Sequence, residues 1–146
     1  MAKQTVIGIT LANAKFAHLG RPMFKAIVDA GGRAAAERMK KNTEKAGHVR
    51  NKDMLDSIGP TKYYEQMGGG AEFVYPQGEN RRGQRTATIA YIINYCRGDK
   101  SKRNRDGSKS RMGDHFITGD TEGAEDAVKA AMQAESDRLL AEINNE

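Results

Sequence analysis

The sequence predicts a single α+β domain in which two long helices pack around a small antiparallel sheet. Three observations carry this prediction. Apolar residues recur at spacings of three and four in two well-separated segments, the signature of helices with one buried stripe. Two short β-prone stretches flank a run of three glycines, as in a hairpin. The chain of 146 residues is long enough for one core and short for two.

The elements follow in order. Thr5 to Leu11 is a weak strand, β-prone in Val6, Ile7, Ile9 and Leu11 but without clean alternation. After Gly20, Pro22 suits the first turn of a helix, where its missing N–H is not needed. Phe24, Ile27, Val28, Gly31, Ala35 and Met39 then line one stripe of a helix running to about Lys45, which Gly47 ends. Gly31-Gly32 costs this helix roughly 1 kcal/mol per glycine relative to alanine, so a kink or a close contact with another backbone is expected there. Arg50 to Ile58 reads as a loop with one short helical turn, closed by Gly59-Pro60. Thr61 to Met67 and Ala71 to Tyr75 are the hairpin limbs. Gly68-Gly69-Gly70 is the loop between them, with positive φ expected, and Pro76 ends the second limb. From Arg85 to Tyr95 the pattern Ala87, Ile89-Ala90-Tyr91 and Ile93-Asn94 fits either a strand or a largely buried helix. Arg97 to Arg111 contains no apolar residue and is expected to be an exposed loop. Gly119-Asp120-Thr121, with Glu122 and Glu125 in the first turn, starts a terminal helix whose stripe is Ala124, Val128, Ala131, Met132, Leu139 and Ile143.

Composition excludes several classes of function. The longest apolar run falls far short of a membrane span and the N-terminus has no signal-peptide core, so a cytosolic, membrane-free protein is expected. One cysteine, Cys96, allows no intrachain disulfide and no thiolate metal cluster. His18, His48 and His115 have no second ligand at metal-binding spacing. Cys96 and His115 belong to no local nucleophile signature, and the carboxylate pairs Asp53/Asp56 and Glu125-Asp126 sit in polar helix-start settings. The glycine run lacks the Lys-Ser/Thr ending of a phosphate loop. No catalytic residue, cofactor or metal is expected.

The net charge of +5 hides a polarity along the chain. Residues 1–96 carry +7, 97–111 carry +5, 112–119 carry −1 and 120–146 carry −6. The basic loop presents Lys100, Lys102, Arg103, Arg105, Lys109 and Arg111. Three readings fit it: a solvated loop, a contact with an acidic neighbouring subunit, or a grip on DNA backbone phosphates. It has no aromatic side chain on which bases could stack.

Four segments together resemble a known family. They are the basic first helix around Arg33 to Lys45; Asp53-Met54-Leu55-Asp56-Ser57-Ile58; Val74-Tyr75-Pro76-Gln77-Gly78 followed by Arg81-Arg82-Gly83; and Ala90-Tyr91-Ile92-Ile93-Asn94-Tyr95, with Phe116-Ile117 leading into the last helix. In order and spacing, roughly over residues 20–145, the chain resembles the tail-component family of long-tailed bacteriophages of the Hong Kong 97 type, related to tail-completion and head-tail joining proteins. Members usually carry an acidic residue near Asn94, Gly in place of Cys96, and a short Arg-Pro-Phe approach to the last helix where this chain has the basic loop.

The resemblance implies an antiparallel sheet packed by helices and favours a middle helix over 87–95. It also implies a virion protein of the tail or neck, assembled in the bacterial cytoplasm. Such a protein would form a homo-oligomeric ring, with six copies expected, as tail terminator, tail-completion protein or head-tail connector. Its partners would be itself, neighbouring neck and tail-tube proteins, and passing DNA. The alternative is a non-catalytic DNA-binding protein. A head-to-tail ring needs two unlike, complementary surfaces on one subunit. The charge map suggests the basic loop for one, and Glu122, Glu125, Asp126, Glu135 and Asp137 of the last helix for the other.

Overall fold

Helix α1 spans Arg21–Lys45 with Pro22 in its first turn, and it ends at Gly47, whose φ of +80° suits a residue without Cβ. A computed structural model describes residues 20–47, 52–66, 69–95, 117 and 121–145; the side chains of Gln66, Thr121 and Glu122 are excepted. The predicted strand Thr5 to Leu11 and the loop Arg97 to Arg111 lie outside these residues. Five further elements have their bounds set by caps and pairing. They are α2 (Asp53–Ser57), β1 (Ile58–Pro60), β2 (Tyr64–Gln66), β3 (Gly69–Ala71) and β4 (Val74–Pro76). Helices α3 (Thr86–Tyr95) and α4 (Thr121–Asn144) complete the α+β architecture.

α1 runs unbroken through Gly31-Gly32. The two glycines serve close packing, against side chains and not against another backbone. A Cβ on Gly31 would lie 2.8 Å from Met132 Cγ and 3.3 Å from Val128 Cγ1, so α4 crosses α1 at this point. A Cβ on Gly32 would collide with a carboxylate oxygen of Glu72 and lie 3.1 Å from Pro60 Cβ, so the strands cross the adjacent side of the helix. Around the first crossing Ile27, Val128, Met132 and Leu139 form the core, with Met23, Ala26, Val28 and Ala35 packed on it. Complete burial of Ile27 contributes on the order of 2–3 kcal/mol. Ile143, placed in the buried stripe of α4 by its spacing, is 44% exposed, because the core ends about one turn earlier at Leu139.

The four strands form one interrupted antiparallel ribbon. Ile58, Gly59 and Pro60 face Pro76, Tyr75 and Val74; Tyr64, Glu65 and Gln66 face Ala71, Gly70 and Gly69. Between Pro60↔Val74 and Tyr64↔Ala71 the first limb has residues 61–63 and the second only 72–73. One residue is therefore extra, as in a β-bulge. Thr61 bridges the irregularity: its N–H donates to Phe73 O (2.8 Å) and its hydroxyl oxygen accepts the Phe73 N–H (3.0 Å).

One proline expectation is corrected here and the other holds. Gly59-Pro60 lies within a strand, not after a loop, whereas Pro76 does end the second limb, as its last paired residue opposite Ile58. Inter-strand hydrogen bonds come from the neighbouring residues Thr61 and Gln77, so the amide positions of Pro60 and Pro76 face away from the partner limb. A two-stranded ribbon tolerates this, being all edge.

The glycine run is corrected as well. Gly69 and Gly70 are strand residues without positive φ. Gly70 instead makes room for the Tyr63 ring, which occupies the space a Cβ would take.

The ambiguous segment is a helix, but not a largely buried one. α3 buries Thr86, Ala90 and Asn94, one residue per turn, and leaves Tyr91 51% and Ile92 40% exposed. It packs on α2 and β4. Buried Asn94 accepts the Ile117 N–H on Oδ1 at 2.9 Å, tying α3 to the chain that leads into α4.

Candidate subunit-contact surface

The connection from β4 to α3 is a turn locked by its own polar groups. Asn80 Oδ1 accepts the N–H groups of Arg82 (2.9 Å) and Gln84 (3.0 Å), an Asx-type turn. The Asn80 N–H donates to Gln84 O, and the Gly83 N–H donates back to Asn80 O. Gly78 and Gly83 take the positive φ values of 76° and 70° that the path requires. The Thr86 N–H closes the loop onto Gly78 O at 3.0 Å. These bonds display Arg81, Arg82 and Arg85 on the surface. Asp53 of α2 lies 3.4 Å from Arg81 Nε, a loose pair; Arg82 and Arg85 have no acidic partner among the described residues.

Arg85 stands at the head of the solvent-facing stripe of α3, followed at helical spacing by Thr88 and Ile92, with Tyr91 alongside. The Tyr91 ring rests on that of Tyr95, centroids 4.9 Å apart. A basic knob thus runs into an apolar, aromatic stripe. The ribbon adds a second apolar surface. The extra residue in its first limb places Tyr64 on the same face as Phe73 and Tyr75, and all three are exposed.

The acidic residues predicted on α4 do not form one face. Glu125 is paired with Lys129 at 2.6 Å. Glu135 accepts two hydrogen bonds from Arg138 (3.0 and 2.8 Å), which hold its carboxyl below the ordinary range. Glu142 also pairs with Arg138. Asp126 and Asp137, about three turns apart, share the outward line of the helix with exposed Ala130 and Ala134. Asp137 accepts a bond from Gln133 Nε2, and neither aspartate makes a direct ion pair among the described residues, although Lys129 lies near enough to Asp126 to feel its charge. The Glu122 side chain and the basic residues Lys100, Lys102, Arg103, Arg105, Lys109 and Arg111 lie outside the described residues.

Sequence reasoning missed the arginine turn as a site. Asn80 followed three residues later by Gly83 was the available signal, since that spacing suits a turn closed by an Asx side chain. It also missed a carboxyl pair where α1 meets the ribbon. Asp29 and Glu72 share a hydrogen bond in a cleft of about 480 Å³ lined also by Lys25, Arg33, Lys62 and Tyr63. One Glu72 oxygen is buried against Gly32 without a hydrogen-bond partner. Burial, then the bond to Asp29, raises the Glu72 pKa to about 7. The same bond, aided by Lys25 at 2.6 Å, lowers that of Asp29.

Among the described residues no cluster of three or more metal-ligating side chains occurs, and no helix is long and apolar enough to cross a membrane. No family model, curated protein or solved structure matches the chain.

Proposed function

We propose that this chain is a structural subunit of a bacteriophage virion. Copies of it close into a ring at the head-tail junction or at the head-proximal end of the tail. The observation that carries this reading is the inverted burial of α3, which hides Thr86, Ala90 and Asn94 and turns Tyr91 and Ile92 to solvent. An apolar helix stripe beside a basic knob is the anatomy of a surface that becomes covered on assembly. The four-segment resemblance to phage tail components supplies the biological setting. The reading assigns the chain no catalytic role and no cofactor.

Its partners are further copies of itself, six to a ring, and the neck and tail-tube proteins above and below. Electron microscopy of purified particles, with the chain located along the head-tail axis, tests the reading. Native mass spectrometry of the purified chain should give a closed oligomer. A chain that stays monomeric at all concentrations and is missing from particles would overturn it.

A second reading has its own support in Arg81, Arg82 and Arg85, displayed on a locked turn where phosphates could reach them. A non-catalytic DNA-backbone binder would retain duplex DNA in a gel shift, with affinity falling steeply as salt rises. Absence of retention at low salt eliminates that alternative.

A further inference from the structure

We infer that the arginine turn and solvent stripe of α3 on one copy receive the outer face of α4 on a second copy. The inference rests on the ring reading above and names the surfaces that close it. α4 pairs Glu125, Glu135 and Glu142 directly with its own Lys129 and Arg138, while among the described residues Asp126 and Asp137 make no direct ion pair, Asp126 having only the longer-range attraction of Lys129. Their outward line also carries Gln133, which donates to Asp137, and the small exposed residues Ala130 and Ala134 lie along one side of it. The turn supplies the complement: Arg82 and Arg85 have no acidic partner among the described residues, and Arg81 is held only loosely. Ile92 and Tyr91 lie beside them to cover the alanines.

The two surfaces are unlike and lie on separate elements. Each copy can therefore use both at once, the condition for a heterologous contact that propagates until it closes. Opposite charges set the register and exclude wrong partners, while Ile92 and Tyr91 contribute the apolar burial.

The test uses charge reversal in the full-length chain, read by native mass spectrometry and light scattering. Arg82→Asp with Arg85→Asp should weaken assembly at least tenfold, and Asp126→Arg with Asp137→Arg should do the same. All four positions are exposed, and circular dichroism confirms that each variant is folded. Mixed one to one, the two reversed chains should reassemble into rings in which they alternate, because each then meets an opposite charge on both sides. If the wild type assembles and each reversed chain still assembles alone, the surfaces are wrong while the ring reading stands. Failure of the folded mixture to recover also overturns the pairing. A wild-type chain that is monomeric at every concentration sinks the ring reading and this inference together. If Arg82→Asp with Arg85→Asp abolishes duplex-DNA retention but leaves assembly intact, the turn is a phosphate contact and the inference fails.

Discussion

Met132 of α4 occupies the space that Gly31 of α1 leaves empty, its Cγ 2.8 Å from where a Cβ would stand. The α1–α4 contact is therefore set by the absence of a side chain. Helix propensity alone would make replacement of this glycine by any residue except proline favourable by up to about 1 kcal/mol. Steric overlap with Met132 and Val128 acts in the opposite direction and is larger for a branched side chain. Gly31→Val is expected to destabilise by about 1–3 kcal/mol. The measurement is the urea midpoint of the purified chain; an unchanged midpoint would show that α4 crosses elsewhere.

Gly70 has a comparable role toward Tyr63. A methyl group at position 70 overlaps the Tyr63 ring, which must then leave its seat near Lys25, 6.0 Å from the ring centroid. Gly70→Ala should lower the melting temperature and raise amide exchange in β2 and β3. Combining it with Tyr63→Ala should recover most of the loss, since the overlap is gone. A double variant no better than Gly70→Ala would mean that the glycine matters for its backbone and not for the ring.

Asn94 links α3 to the segment before α4 through a buried bond from the Ile117 N–H. Asn94→Ala leaves that donor without its acceptor and should cost about 1–3 kcal/mol. Faster hydrogen exchange at Ile117 and the first turn of α4 is the specific sign. Loss spread evenly over the molecule would argue against a local tether.

Glu72 makes stability depend on pH in a predictable sense. Folded, it keeps its proton to about pH 7; unfolded, it releases the proton near 4.5. Between those values the folded chain binds more protons, so this group's contribution falls as pH rises from about 4.5 to about 7. Asp29 acts oppositely. Its lowered pKa gives a contribution present above 3.8 and lost as pH falls through the lowered value. Glu72→Gln should therefore flatten the decline between pH 5 and pH 8 and raise stability relative to wild type most at pH 8. Urea midpoints at the two pH values check this, and an unaltered slope would exclude Glu72 as its source.

How much of this was legible depended on whether local chemistry or tertiary contact decides each element. Pro22, Gly47 and the three-and-four spacing from Ile27 onward define α1 locally, and its bounds were readable. The same held for the short turn before Ile58. The segment Thr86 to Tyr95 is apolar nearly all round, so no periodicity marks which side is covered. Packing against α2 and β4 selects Thr86, Ala90 and Asn94. The glycine run looked like loop chemistry because the other use of glycine, making room for a ring from the facing limb, leaves no local trace. The acidic stretch was visible as composition. Its division into residues neutralised by Lys129 and Arg138 and two left outward needed the helix phase and the pairing partners.

The surplus residue between Pro60 and Tyr64 has a consequence for tolerance to length changes. Side chains along the first limb switch parity there: the outward position is odd-numbered at Gly59 and even-numbered at Tyr64. Deleting Lys62 would leave two residues on each limb between the two paired stretches, so the ladder would run without its bulge and Tyr64, still opposite Ala71, would stay on the side of Phe73 and Tyr75. At this hairpin the chain should therefore tolerate the loss of one residue from 61–63, whereas a one-residue change within a paired stretch, which has no surplus to absorb it, would turn the residues beyond it to the opposite side.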